Sequence, residues 1–134
     1  AEQMARTAAD QFPLREIDTV MPVPLHWLKR RLRGASPTTF LAQALAASLH
    51  LPADFETLVR TRWTSTQTRL TAARRFRNVA HAFRARPERC QHRRVLLVDD
   101  VLTTGATADA CAVALREAGA RAVFVVTAAC ASDA

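Results

Sequence analysis

The chain has 134 residues, 49% of them hydrophobic, which is enough for one compact domain with a core of its own. No apolar run approaches the roughly 20 residues that a membrane-spanning helix needs, and the first residues lack the basic and apolar regions of a signal peptide. We therefore expect no membrane insertion and a cytoplasmic location. Nineteen Lys and Arg against 12 Asp and Glu give a net charge of +7, which favours a phosphate-rich partner.

The first third of the chain predicts helix, strand and helix. Apolar residues recur at helical spacing in Ala1–Phe12, and Ile17–Val23 has the composition of a buried strand. Ser36, followed by proline, is a typical N-cap and first helical residue. The apolar face of that second helix continues to Leu49, and Pro52 is expected to end the segment.

The middle of the chain alternates in the same way. Phe55–Arg60 is predicted to be a strand, Trp63–Arg69 a polar loop and Thr71–Val79 a short helix. Val95–Val98 is fully apolar, as strands in a parallel sheet usually are.

The final third predicts one more helix and strand. An apolar helical face begins at Ala108 and is closed by Gly119, a suitable residue for the position just after a helix. Val123–Thr127 is β-branched and apolar. Alternating helices and strands predict a single α/β domain over residues 1–134, with a parallel sheet flanked by helices.

The three cysteines form no metal or disulfide pattern. Cys90, Cys111 and Cys130 are widely spaced, with no C-x-x-C pair, which argues against a zinc site or a disulfide framework within these residues. Cys111 and Cys130 have apolar neighbours and are predicted to be small core residues.

The positive charge is concentrated in two acid-free clusters. Arginine's planar guanidinium suits phosphate and pyrophosphate recognition. The first cluster consists of Lys29, Arg30, Arg31 and Arg33. The second comprises eight arginines between Glu56 and Glu88: Arg60, Arg62, Arg69, Arg74, Arg75, Arg77, Arg84 and Arg86. An arginine-rich codon usage and solvated faces are the alternative explanation, which we favour for Arg86, Arg89, Arg93 and Arg94.

Two adjacent acids and a hydroxyl-rich loop follow the apolar strand. Asp99 and Asp100 fall at its carboxyl end, where open α/β sheets bind ligands. The next residues lead into the following helix and combine hydroxyls, a glycine and first-turn N–H groups, which together favour an anion. These residues are Thr103, Thr104, Gly105, Ala106 and Thr107. Thr104 or Thr107 could instead serve only as the N-cap of the helix.

The pairing of these two features fits a ribose 5-phosphate. The loop lacks the G-K-[ST] ending of a Walker A motif and the three glycines of a dinucleotide fingerprint. The carboxylates of Asp99 and Asp100 could accept hydrogen bonds from the ribose hydroxyls while the loop holds the 5′ phosphate. They would also stabilise positive charge that develops at the anomeric carbon.

The stretch VLLVDDVLTTGAT resembles the 13-residue signature of type I phosphoribosyltransferases. The resemblance implies a type I phosphoribosyltransferase-like fold and 5-phosphoribosyl 1-pyrophosphate as substrate. It also implies Mg²⁺ as cofactor, with Asp99 or Asp100 near the metal. Transfer of the phosphoribosyl group to a nitrogen acceptor would release pyrophosphate.

Two further stretches resemble the ComF group of phosphoribosyltransferase-like proteins, which is associated with DNA uptake. VMPVPLHWLKRRLRG corresponds to the segment that binds pyrophosphate in type I enzymes, and QTRLTAARRFRNVAHAF to a lid over the active site. The implied pyrophosphate contacts are Arg30, Arg31, Arg33 and Arg75. The implied lid residues are Gln67, Arg74 and Asn78. Leu70 and Phe83 also match the pattern, and we expect them to be packing residues.

The chain departs from the ComF pattern in two places. Ala35-Ser36-Pro37 stands where the group usually has Phe-Asn-Gln, and the group's amino-terminal four-cysteine segment has no counterpart. We therefore expect the chain to lack an amino-terminal segment of a longer protein. The leading expectation is an enzyme. The rival is a non-catalytic protein that binds single-stranded DNA or a DNA-uptake protein, and a weaker third is a nucleotide-responsive regulator; a homodimer is compatible with each.

Overall fold

The computed structural model describes residues 1–25, 36–61, 81–102 and 105–130. The loop predicted at Trp63–Arg69 and the helix predicted at Thr71–Val79 lie outside these ranges. In chain order the elements are α1 (Glu2–Gln11), a 3₁₀ turn (Leu14–Glu16), β1 (Thr19–Pro22), α2 (Pro37–Leu49), β2 (Leu58–Arg60), β3 (Phe83–Ala85), α3 (Pro87–Cys90), β4 (Arg94–Leu102), α4 (Ala106–Glu117) and β5 (Ala122–Cys130).

A parallel sheet with the order β1-β4-β5 forms the centre of the domain. Its long middle strand pairs Thr19 of β1 with Val95, and Ala122 of β5 with Arg94. A second, antiparallel sheet joins β2 to β3. The predicted α/β class with a parallel sheet is therefore confirmed.

Successive residues of a strand point to opposite sides of the sheet, and both sides carry apolar side chains here. Helices therefore cover both faces of the parallel sheet. Val95 and Leu97 of β4 belong to one core cluster, together with Cys111 of α4. Leu96 and Val98 belong to the other, packed against residues of α1 and α2. All four of these β4 side chains are fully buried. Cys111 is a buried core residue, as predicted.

α2 begins as predicted and ends differently. The Ser36 hydroxyl accepts a hydrogen bond from the Thr39 N–H at 3.2 Å, and proline follows at the first helical position. At the other end His50 adopts a left-handed conformation with φ of 55°, so the helix stops at Leu49, before Pro52. The Pro52 carbonyl instead accepts the Val20 N–H of β1 at 2.9 Å.

β4 is longer than predicted, whereas β2 is shorter. β4 runs to Leu102 because its backbone keeps pairing with β5 beyond the apolar core, with Asp99 opposite Thr127. The acid pair is thus part of the strand itself. β2 starts only at Leu58, because the Asp54 carboxylate organises a turn by accepting the N–H groups of Glu56 and Thr57, each at 3.0 Å.

α4 is bounded by two glycines with positive φ, a conformation that other residues adopt at a cost. Gly105, with φ of 81°, is the N-cap, and Gly119, with φ of 101°, lies just beyond the C-cap Ala118. The predicted role of Gly119 is confirmed. The alternative in which Thr107 is the N-cap is wrong, because Gly105 supplies the turn and Thr107 already lies within the helix.

Replacing Ser36 with alanine should destabilise the domain by about 1 kcal/mol, because the Thr39 N–H loses its side-chain acceptor. Urea unfolding followed by circular dichroism would measure the change. Ser48→Ala, at an exposed position near the end of the same helix, is the matched control and should be neutral or slightly stabilising. Equal effects of the two substitutions would contradict a capping role for Ser36.

Candidate active site at the carboxyl edge of the sheet

A cleft of about 470 Å³ opens at the carboxyl edge of the parallel sheet. It is lined by Val23, Pro24, Leu25, Ser36, Pro37, Thr38, Arg60, Asp99, Asp100 and Thr107. The helices that follow β1 and β4 pack on opposite faces of the sheet. Such a reversal between neighbouring strands leaves a crevice, and α/β proteins use it to bind ligands. The fold therefore places the cleft between the ends of β1 and β4.

Asp99 is the buried carboxyl of this cleft, with 9% of its surface exposed. The pKa of Asp99 is raised to about 6, mainly because the carboxyl is buried and in addition through a side-chain hydrogen bond with Asp100 and the charge of Asp100. The Asp100 N–H opposes this shift by donating to Asp99 Oδ1 at 2.9 Å. A desolvated carboxyl with a shifted pKa in a cleft is a typical feature of a functional site.

The predicted anion loop lies beside the acid pair in the part that the structure describes. Asp100 is exposed and lines the cleft together with Thr107, which lies in the first turn of α4. The N-cap Gly105 has no side chain that could accept the first-turn N–H groups, in contrast to Ser36 at the start of α2. A helix whose N-cap residue offers no side-chain acceptor, next to a cleft, is suited to an anion.

Arg60 is a cleft residue that the motifs did not single out. It ends β2 and lies directly opposite Phe83 in β3. Its Cζ is 5.2 Å from the centre of the Phe83 ring, and its buried Nε has no hydrogen-bond partner among the described residues. The signal in the sequence was its position as the last residue of a predicted strand within an acid-free cluster.

Cys111 is a buried residue of α4 that interacts electrostatically with two residues of the cleft. Burial raises the pKa of the Cys111 thiol well above its ordinary value, the charge of Asp99 adds to the shift, and Arg60 opposes it. Burial likewise lowers the pKa of Arg60. Asp99 and Arg60 therefore both act electrostatically on the same buried residue of α4.

The other predicted site residues lie outside the described ranges. They are Thr103, Thr104, Arg30, Arg31, Arg33, Arg75, Gln67, Arg74 and Asn78. The ends of their segments are nevertheless defined. Leu25 and Ser36, on either side of residues 26–35, both line the cleft. Thr61 donates its N–H to the Ala82 carbonyl at 2.8 Å, so the described residues on either side of 62–80 are joined next to Arg60.

Two further properties concern the described part of the chain. None of its helices is long and apolar enough to cross a membrane. Within the same ranges no three His, Cys, Asp or Glu side chains converge in a way that could hold a metal ion by themselves.

Sequence comparison identifies relatives that are named for DNA utilization and for competence. The chain is 40% identical over 120 residues to DNA utilization protein YhgH of Escherichia coli K12, a match that covers 90% of this chain and 51% of that protein. It is 33% identical over 122 residues to competence protein F of Haemophilus influenzae, covering 90% and 53%. The chain therefore spans about half the length of these relatives. No protein-family model matches the chain.

Structural comparison identifies phosphoribosyltransferase folds. Glutamine phosphoribosylpyrophosphate amidotransferase from B. subtilis has a TM-score of 0.55 and 23% identity, over 92% of this chain and 25% of that one. Phosphoribosylpyrophosphate synthetase from Mycobacterium smegmatis has a TM-score of 0.58 and 19% identity, over 92% of this chain and 30% of the synthetase. A variant of HPRT in which glutamine replaces an invariant aspartic acid has a TM-score of 0.58 and 12% identity, over 99% of this chain and 75% of the HPRT chain.

Asp99→Asn should stabilise the domain at neutral and alkaline pH. A carboxyl with a pKa raised from 3.8 to about 6 binds more protons in the folded state, so stability falls as pH rises through this window. The full cost of ionisation, at most about 3 kcal/mol, is present above the folded pKa and absent below about pH 4. Asparagine keeps an oxygen for the Asp100 N–H and avoids the charge.

Thermal unfolding of the wild type and Asp99→Asn between pH 4 and pH 8 would measure this difference. The two curves should converge near pH 4, separate progressively up to about pH 6 and keep a constant separation above it. Asp10→Asn removes an exposed carboxylate from α1 and controls for the general loss of a negative charge. A constant offset between wild type and Asp99→Asn across the whole range would contradict a buried, pKa-shifted Asp99.

Proposed function

We propose that this chain binds 5-phosphoribosyl 1-pyrophosphate together with Mg²⁺. It then transfers the phosphoribosyl group to a nitrogen acceptor and releases pyrophosphate. The chain has the type I phosphoribosyltransferase fold and is related to competence protein F over about half of that protein's length. The observation that carries the proposal is the cleft, which joins Asp99, Asp100, Arg60 and the start of α4. In this proposal residues 1–134 act as one phosphoribosyltransferase-like domain.

The start of α4 would bind the 5′ phosphate. Gly105 has a positive φ and no side chain, so an anion could approach the backbone there, and Thr107 lines the cleft in the first helical turn. First-turn N–H groups and the helix dipole both favour an anion there. Thr103, Thr104 and Ala106 complete the proposed loop.

Asp99 and Asp100 would bind the ribose. Each carboxylate accepts hydrogen bonds from a sugar hydroxyl, and together they supply negative charge near the anomeric carbon. As the bond from that carbon to the pyrophosphate oxygen breaks, the ribose becomes oxocarbenium-like and is stabilised by these charges. The buried position of Asp99 strengthens the interaction, because little water competes with it.

Arginines would receive the pyrophosphate. Arg60 lines the cleft and has an unpaired, buried Nε among the described residues. Arg30, Arg31, Arg33 and Arg75 belong to the acid-free segments that adjoin the cleft. Guanidinium groups bind phosphate oxygens in pairs of hydrogen bonds, so they neutralise the charge that accumulates on the leaving group.

The donor groups of the cleft fit Mg²⁺ that is held jointly with the ligand. Mg²⁺ in nucleotide-type sites takes one or two protein carboxylates and completes its shell with substrate oxygens and water. The described cleft provides two carboxylates, and no cluster of three potential ligands is present in the described part of the chain. Asp99 or Asp100 would therefore contact the ion, directly or through water. When bound, Mg²⁺ would neutralise pyrophosphate and order it against the ribose.

Gln67, Arg74 and Asn78 would form a lid over the bound sugar. Excluding water matters for this chemistry, because an activated ribosyl centre is otherwise hydrolysed. The segment that carries these residues starts and ends beside Arg60, at the joined Thr61 and Ala82. That attachment supports a location over the cleft.

Calorimetric titration with 5-phosphoribosyl 1-pyrophosphate in the presence of Mg²⁺ tests this function. The wild type should bind, and Asp99→Asn with Asp100→Asn should abolish binding, because the ribose hydroxyls lose both charged acceptors. Asp10→Asn, on the surface of α1, should bind like the wild type. Release of pyrophosphate upon addition of candidate bases would then identify the acceptor. The proposal would be contradicted by a wild type that does not bind.

A second candidate function is binding of single-stranded DNA, either by this domain alone or with a DNA-uptake protein. Two observations favour it: the relatives are named for DNA utilization and competence, and the acid-free segments carry an excess of arginine. Such binding would rest on phosphate contacts, which release counterions and are therefore sensitive to salt.

A fluorescent thymidine 30-mer would test the second candidate by anisotropy at increasing salt. Binding through Arg74 and Arg75 should weaken steeply with salt, and replacing both residues with serine should flatten that dependence. The matched control replaces Arg6 and Arg15, which are exposed in the first 15 residues, with serine. A salt-independent affinity, or equal losses in both double variants, would contradict this function.

A further inference from the structure

The side chain of Arg60 is held by an aromatic ring across the small antiparallel sheet. Arg60 and Phe83 are direct partners in the register of β2 and β3, so their side chains lie on the same face of the sheet. The guanidinium carbon is 5.2 Å from the ring centre, within the range of a cation–π interaction. The hydrogen bonds that Thr61 makes to the Ala82 carbonyl, from its N–H at 2.8 Å and from its hydroxyl at 3.2 Å, fix the hairpin just beyond this pair.

The ring itself has almost no freedom to move. Phe83 is 5% exposed and belongs to the core cluster that includes Cys111 and Ala114 of α4. Packing therefore ties Phe83 to the helix whose start lies at the cleft. The ring is a rigid support, while Arg60 has a long side chain with several rotatable bonds.

The contacts of Arg60 are those of a group held ready for a ligand. Its Nε is buried without a hydrogen-bond partner among the described residues, although such a donor normally finds one. The ring face attracts the cation without using any of its N–H donors. The contact with the ring therefore holds the side chain in place without using the N–H donors that an anion would need.

We infer that Phe83 is a positioning residue that holds Arg60 in the cleft. Arg60 then binds the second anionic group of the ligand, while the start of α4 binds the phosphate. The inference rests on the proposed function, since the second anion would be the pyrophosphate of 5-phosphoribosyl 1-pyrophosphate. Ribose 5-phosphate, which lacks this group, gains nothing from the pair.

Phe83→Met tests the inference, because methionine fills a similar volume and has no ring. Affinity for 5-phosphoribosyl 1-pyrophosphate with Mg²⁺ should fall about threefold to tenfold, the range of one cation–π interaction. Affinity for ribose 5-phosphate should change less than twofold. Phe124→Met, which removes a half-buried ring paired with Phe12 in the other core cluster, controls for loss of aromatic packing and should leave both affinities unchanged.

A double-mutant cycle distinguishes positioning from general structural support. If Phe83 acts through Arg60, Phe83→Met should cause no further loss in an Arg60→Met background. Additive losses in 5-phosphoribosyl 1-pyrophosphate affinity, or an equal loss for ribose 5-phosphate, would overturn the inference and leave the proposed function intact. A wild type that binds neither 5-phosphoribosyl 1-pyrophosphate nor inorganic pyrophosphate would overturn both.

The same cycle in the unliganded protein gives a test that needs no ligand. The thermal stabilities of the wild type, both single variants and the double variant should show favourable coupling between Arg60 and Phe83. Absence of coupling would overturn the positioning role, because the ring would then not hold the guanidinium. This measurement also shows that each variant is folded before its affinity is interpreted.

Discussion

The site depends on the burial of β4 on both faces of the sheet. Val95 to Val98 are fully buried, and the strand continues with its backbone paired until it carries Asp99 into the cleft. A carboxyl placed on a less rigid element would move into water and lose its raised pKa. Here the packing of α1, α2 and α4 prevents that movement, so part of the stability of the core is used to keep one acid desolvated.

The positive charge of the chain is separated from this core. The described ranges contain ten arginines and eleven Asp and Glu residues, so their charges nearly cancel. Residues 26–35 contain four Lys and Arg residues, residues 62–80 contain five arginines, and neither segment contains an acid. Both segments are attached where the described cleft residues lie. A nearly neutral scaffold whose two basic segments are joined to it beside the cleft is consistent with the proposed anionic ligand, because positive charge attracts ions of the opposite sign.

Local chemistry made much of the fold predictable. Ser36 and the following proline identified the start of α2, Gly119 the end of α4, and the apolar run at Val95 the central strand. The extension of β4 was missed because pairing with β5, rather than hydrophobicity, holds its last residues in the strand. In the site, the acid pair and the loop at Gly105 were visible as a motif. The contribution of Arg60 was not, since it depends on the pairing of β2 with a strand more than 20 residues later.

The pairing of β2 with β3 adds Arg60 to a cleft that is also lined by the start of α4. α4 presents its start to one side of the cleft and, through its packing against β3, supports Phe83 beneath Arg60 on another. In the proposed function α4 therefore connects the two groups that would bind anions, its own start and the Arg60 side chain supported by Phe83. A ligand with a single phosphate can use only one of them. The proposed site would therefore favour a ligand with two anionic groups joined by a spacer, and Asp99 and Asp100 in the same cleft would suit a spacer that carries hydroxyls.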